Sequence, residues 1–210
     1  MTHENKIIEA VSSRGLPKKY RALFLGYNRF NTCLIDFLES KDYAVTFYED
    51  RLNGIAVENF DIIISFGYRY IIKPDVLARV KRDIINLHIA YLPFNRGAHP
   101  NFWSFHDDTV KGVSIHLIDE GVDTGPLVAR RQVEFTNKED SFDKSYNFLV
   151  REIEELFIEK WPEIEAGTFT VFKAEGEGSF HYRRELPDLP FDWNDNIEKT
   201  LQYLNKANKE

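Results

Sequence analysis

The sequence predicts an α/β protein built on a mostly parallel sheet with helices on both faces. Two observations carry this. Short apolar runs, the clearest being FDIIISFGY at 60–68, alternate with segments of helical spacing over the first hundred residues. Such alternation marks βαβ units, and a run apolar on both faces suits a strand buried in a parallel sheet.

Each element follows in order. Residues 1–19 are polar, with Ile7, Ile8 and Val11 at helical spacing before Gly15 and Pro17 break the pattern. RALFLGYN (21–28) reads as a buried strand ending at Gly26, followed by a helical face of Cys33, Leu34, Phe37 and Leu38. YAVTFYE (43–49) and FDIIISFGY are further strands, KPDVLARVK (73–81) a short helix, and DIINLHI (83–89) another buried strand. Past residue 112 the polarity alternates more, in GVSIHLI (112–118) and PLVARRQVEF (126–135). Phe142, Tyr146, Leu149, Ile153 and Leu156 then recur every three or four residues, predicting a helix over 141–161 that Pro162 and Gly167 end. The tail, 168–186, reads as a hairpin of two strands, followed by a short helix from about Asn194 to Asn205. Three parts result: an extension (1–19), a main domain (20–166) and a tail (167–210).

Composition narrows the function classes. With 43% hydrophobic and 29% charged residues in 210, the chain is an ordinary globular protein. A net charge of -7 disfavours nucleic acid or an anionic membrane as the main partner. The single cysteine, Cys33, precludes an internal disulfide and fits a reducing compartment. No apolar run reaches the ~20 residues that span a bilayer, and the N-terminal residues carry no signal-peptide pattern. A cytoplasmic protein is expected.

The chemistry concentrates in IINLHIAYLPFNRGAHP (84–100). Asn86 and His88, two apart in a strand, point to one face. Pro93 halts strand pairing nearby, so the pair stands at a strand's carboxyl end, where open α/β sheets place ligands. A lone polar residue in such a run is more often satisfied by backbone; two together before a Pro/Gly-rich loop favour chemistry. Asp123, in EGVDTGPL, reads first as a turn residue, and spacing alone does not bring it to His88.

NLHIAYLPFNRG resembles the N-x-H…LPxxRG segment of folate-dependent formyltransferases, GVDTGPL resembles their later Asp-bearing loop, and SFGYRYII their folate-cradling strand and loop. The resemblance covers about residues 21–150. It implies the Rossmann-like formyltransferase fold and a catalytic set of Asn86, His88 and Asp123. Asn86 would donate to the developing oxyanion, His88 would take the amine proton, and Asp123 would orient or stabilise the imidazole. N10-formyltetrahydrofolate is the implied co-substrate, held by Phe66, Gly67, Tyr68, Ile71 and Leu92. No metal is implied, and the six histidines show no metal-ligand spacing.

Within the family the acceptor is expected to be the amine of a nucleotide-linked sugar, most like a dTDP-4-amino-4,6-dideoxysugar used in O-antigen synthesis. Residues 167–210 hold 6 Lys/Arg against 8 Asp/Glu, a poor RNA platform for a methionyl-tRNA formyltransferase. LGYNRFNT replaces the Gly/Ser-rich phosphate loop of glycinamide ribonucleotide formyltransferases; both relatives remain alternatives. Arg69 and Arg29 are the candidate pyrophosphate ligands, since the guanidinium fork bonds phosphate bidentately, and Trp103 a stacking surface. Arg96 is expected to brace its loop, and His99, His106 and His116 to be structural. The resemblance and the hairpin pattern together suggest a homodimer.

Overall fold

The computed structural model describes residues 18–136, 140–187 and 192–207. Its contacts divide the chain into two compact units, one of residues up to Leu87 with Leu117–Gly121, the other of His88–His116 with residues from Val122 onward. The helix expected around Ile7, Ile8 and Val11 lies outside the described residues.

The first unit follows the βαβ pattern. It contains β1 (Tyr20–Gly26), α1 (Leu34–Ser40), β2 (Tyr43–Tyr48), β3 (Ile62–Phe66), α2 (Pro74–Leu77) and most of β4 (Ile85–His88). β1 pairs in parallel with β2 and with β3, and β3 in parallel with β4, Ser65 standing opposite Asn86. Every residue of β3 is buried, which accounts for its apolar run Ile62–Ile64. Leu23, Leu25, Val57, Ile63, Ile72 and Ile84 form one apolar cluster beside the strands. β1 ends at Gly26 for a steric reason: with φ +104, a Cβ there would lie 2.2 Å from the Phe66 carbonyl oxygen. The buried face of α1 is Leu34, Ile35 and Leu38, so Cys33 turns outward, against the sequence expectation. α2 is one turn long because Pro74 opens it and the chain leaves the helix after Leu77.

The second unit holds β5 (Arg96–Gly97), α3 (Pro100–His106), β6 (Gly112–Leu117), β7 (Leu127–Gln132), α4 (Phe142–Ala166), β8 (Phe180–His181) and α5 (Ile197–Ala207). β6 and β7 are antiparallel, with an irregularity where Ile115 faces Ala129 and His116 faces Leu127. The Ser141 hydroxyl caps α4 by accepting the Lys144 N–H. α4 runs through Pro162, which lies on its exposed side while Trp161 and Ile164 stay buried, and it stops only at Gly167, φ 68. α5 begins at Ile197, later than expected, because the Asn196 side chain accepts the Lys199 N–H as a cap. Its buried Ile197 and Leu204 join Phe102, Trp103 and Phe142 in a second apolar cluster.

The tail hairpin is not formed. Phe172 instead bridges Leu127 in antiparallel fashion, and β8 pairs in parallel with β5. Each extended piece thus satisfies its backbone on a separate edge of its unit. Gly178 makes the second pairing possible, since a Cβ there would lie 2.1 Å from the Pro93 carbonyl oxygen.

Six strands form one mostly parallel sheet in the order β2-β1-β3-β4-β6-β7. No helix among the described residues is long and apolar enough to cross a membrane.

Candidate active site

β4 ends at His88, whose side chain is almost wholly buried. The loop beyond it turns back sharply. Leu92–Pro93 is a cis peptide, and Asn95 (φ 57) and Gly97 (φ 89) both take left-handed backbone. This return brings the Asn95 carbonyl oxygen to 3.1 Å from His88 Nε2. A carbonyl can only accept, so the hydrogen of a neutral ring resides on Nε2. Nδ1 is then the nitrogen able to take a proton, and it faces Asp123, 3.8 Å from Oδ2.

Asp123 is held from three sides within the same unit. Gly97 N–H donates to Oδ2 at 2.8 Å. His88 Nδ1 approaches that same oxygen, and His116 Nε2 lies 3.5 Å from Oδ1. Burial by itself would raise the carboxyl's pKa. The His88 charge, then the hydrogen bond and charge of His116, then the Gly97 N–H outweigh it and hold Asp123 well below the usual carboxylate range. The backbone of Asp123 is left-handed as well (φ 52), a conformation Asp tolerates better than most residues. The turn-forming character read from its Gly-rich surroundings and the approach to His88 are therefore one feature.

Asn86 lies half-buried in β4. Strand alternation turns it to the same face of β4 as His88.

The residues expected around the folate divide between the units. In the first, Phe66 closes β3, buried, and Gly67 (φ 70) leaves no room for a side chain, because a Cβ would meet the Tyr27 ring at 2.2 Å. Tyr68 donates its hydroxyl to the Asp50 carbonyl at 2.7 Å, and burial, then Tyr48 and Asp50, push its pKa up. Tyr68, Tyr70 and the exposed Ile71 line a cavity of about 250 Å³ that also receives Arg51, Lys73 and Arg79. In the second unit, Leu92 is buried, its N–H donating to Ser114 Oγ at 3.0 Å and its carbonyl accepting from Arg130 at 2.8 Å.

Two residues expected to face the substrate have partners within the chain. Trp103 is core rather than an open stacking surface: it is 6% exposed, and its face is covered by the His181 ring at 4.0 Å and 6°. The Arg29 guanidinium is paired with Asp36 and Glu39. Arg69 is exposed. Arg96 lies in β5, where its N–H donates to the Ser179 carbonyl at 3.0 Å.

His116 was expected to be structural, yet it touches the central carboxylate. Its signal was present in GVSIHLI, where Ser114 and His116 are two apart in a strand and repeat the Asn86/His88 pattern. The Asn95 carbonyl and the Gly97 N–H carried no side-chain signal at all. Among the described residues, no group of three or more His, Cys, Asp or Glu side chains is arranged to hold a metal ion.

Comparison with known proteins bears on this geometry. A profile of the formyl transferase family matches residues 35–160. The formyltransferase PseJ of Anoxybacillus kamchatkensis, crystallised with UDP-4,6-dideoxy-4-formamido-L-AltNAc and tetrahydrofolate, is 43% identical. The match covers 85% of this chain and 96% of that one at a TM-score of 0.77. Among curated proteins, a methionyl-tRNA formyltransferase of Thermodesulfovibrio yellowstonii is 30% identical over 69% of this chain and 46% of its own length. A dTDP-4-amino-4,6-dideoxyglucose formyltransferase of Mycobacterium bovis is 30% identical over 63% of this chain and 56% of its own length. The chain thus spans about half the length of the curated relatives it matches. With an imidazole at the end of β4 beside a carboxylate, and with a family match over most of its length, the chain belongs to the formyl transferase family.

Proposed function

We propose that the protein transfers a formyl group from N10-formyltetrahydrofolate to the amine of a nucleotide-linked 4-amino-4,6-dideoxysugar. The observation that carries this is the His88–Asp123 arrangement, a proton-accepting Nδ1 beside a carboxylate kept charged. The sugar class rests on the 43% identical PseJ, whose complex holds a UDP-linked 4-formamido sugar. A UDP-sugar is therefore the first acceptor to try, with the dTDP-sugar named for the mycobacterial relative as the second.

In this reading His88 Nδ1 receives the proton that the attacking amine loses. The imidazolium so formed lies beside Asp123, which stabilises it without being protonated itself. The Asn86 amide donates to the formyl oxygen as negative charge grows there, worth about 3 kcal/mol in comparable sites. The folate supplies the formyl carbon: the amine adds to it first, and the bond to N10 then breaks as the oxyanion collapses, N10 taking the proton that His88 received. The cavity beside Tyr68, Tyr70 and Ile71, with aromatic walls and with Arg51 and Lys73 at its lining, suits a flat ring carrying an anionic tail. Phe66 and Gly67 would contribute backbone or apolar surface to the same ligand, and Arg69 would meet the pyrophosphate.

The protein is proposed to act in the cytoplasm, in O-antigen or other surface-glycan synthesis, and as a homodimer. Exposed Val171, Phe172 and Tyr182 in the tail support a second copy. A panel of UDP- and dTDP-amino sugars, incubated with the folate and read by mass spectrometry, tests the activity. A gain of one CO unit on a 4-amino sugar is expected. Formylation of glycinamide ribonucleotide or methionyl-tRNA instead would overturn the acceptor assignment.

A further inference from the structure

Two of the groups that orient the His88–Asp123 pair belong to one loop, and that loop is held by the tail. The Asn95 carbonyl meets His88 Nε2, and the Gly97 N–H meets Asp123 Oδ2. Asn95 is fully buried in left-handed backbone, a conformation that needs support from its surroundings. Ser179 gives that support. Its Oγ accepts the Asn95 N–H at 2.8 Å and donates to Asn95 Oδ1 at 3.3 Å, so a single hydroxyl spans main chain and side chain of the same residue. Thr109 Oγ1 takes the Asn95 amide at 2.7 Å from the other side.

The backbone continues the clamp. Arg96 N–H donates to the Ser179 carbonyl and Ala98 N–H to the His181 carbonyl, both at 3.0 Å. Contact is closest at Gly97, where a Cβ would stand 2.4 Å from the His181 oxygen. The tail is fixed in turn by His181. Its ring stacks on Trp103, and its Nε2 is 2.9 Å from Asp107 Oδ2 without hydrogen-bond geometry.

We propose that Ser179 is a positioning residue for formyl transfer, fixing through Asn95 the ring orientation and tautomer of His88. The proposal rests on the function put forward above, since it concerns the same site. Ser179 need not touch either substrate. Its hydroxyl determines whether the Asn95 carbonyl faces Nε2, and hence whether Nδ1 is the nitrogen that accepts the amine proton.

The test compares the full chain with Ser179→Ala and Ser179→Thr. Long-range proton–nitrogen correlation spectra, with His88 assigned through His88→Gln, report the tautomer without any substrate. The wild type is expected to show the Nε2–H form. Ser179→Ala is expected to show a mixture of tautomers, to lower kcat about tenfold, the scale known for outer partners of metal-bound histidines, and to leave KM within about twofold. Its kcat–pH profile should shift on the limb belonging to the base. Ser179→Thr, which keeps a hydroxyl, should restore the spectrum and kcat. A wild-type His88 spectrum together with wild-type kcat in Ser179→Ala overturns the proposal. If Ser179→Ala loses its near-ultraviolet dichroism, Ser179→Cys, which fills the site but is a much weaker donor and acceptor, is read in its place. An unchanged His88 spectrum there overturns the proposal as well. Failure of the wild type to formylate any acceptor would sink the function, whereas the spectrum would still decide the role of Ser179.

Discussion

His116 Nε2 stands 3.5 Å from Asp123 Oδ1, so that the carboxylate lies against two imidazoles rather than one. The rings of His88 and His116 approach edge to face, with centroids 6.3 Å apart. Both histidines lower the carboxyl's pKa, and removing one leaves less to offset burial. His116→Phe should therefore raise the Asp123 pKa and reduce kcat about tenfold, while His116→Gln, which keeps a donor, should lose less. Carbon-13 titration of the Asp123 carboxyl, run beside steady-state kinetics, checks both.

Asp123→Asn keeps the shape and removes the charge. The amide can no longer stabilise a protonated His88, so kcat should fall on the order of 10³-fold with folate binding near wild type. Calorimetry of folate binding alongside single-turnover rates separates these outcomes. An equal fall in affinity would assign Asp123 to binding instead.

Stability should fall in two stages on the acid side. Burial, then Arg183, lower His99 below its ordinary 6.5. The unfolded chain binds that proton first, so stability is full above about 6.5 and declines as pH drops toward the folded value. Asp123 is held below its ordinary 3.8, so its contribution is whole above that pH and is lost as pH falls through the folded value. His99→Asn, which tolerates the same left-handed backbone, should remove the upper stage alone. Urea unfolding from neutral to acid pH measures the slopes.

Trp103→Ala should cost about 3–5 kcal/mol of stability, the range for emptying a large aromatic site, because the indole is packed against Phe102 and His181. The urea midpoint measures it. Under conditions where the variant is folded, KM for the nucleotide sugar should not change, which distinguishes a core residue from a stacking ligand.

The two arginines should separate in the same assay. Arg69→Ala is expected to raise KM for the nucleotide sugar about tenfold, in line with a lost bond to a charged group. Arg29→Ala should leave KM unchanged, its charge being already matched by Asp36 and Glu39.

Much of the first unit was legible because its strands are buried on both faces and announce themselves as β-branched runs, as Ile62–Ile64 do. The Asn86/His88 pair was legible by the same period-two logic. The tail was not. TFTVF and SFHY each look like half of a hairpin, and nothing local reveals that Leu127 and Gly97 offer better backbone partners. Pro162 misled for a related reason: a proline ends a helix in isolation, but here Trp161 and Ile164 remain anchored in the core around it. The partners of Trp103 and Arg29 were not legible because residue type speaks of capability, while the neighbour that uses it is set by tertiary packing.

The Asn95–Ser179 bond joins positions 84 residues apart. Closing so wide a loop forfeits more chain entropy than pairing neighbouring strands does. During synthesis, and again on dilution from denaturant, the parallel strands can assemble while the His88 imidazole still lacks its orienting carbonyl. Recovery of turnover should therefore lag recovery of helical dichroism, so that a nascent chain resembles an enzyme before it works as one.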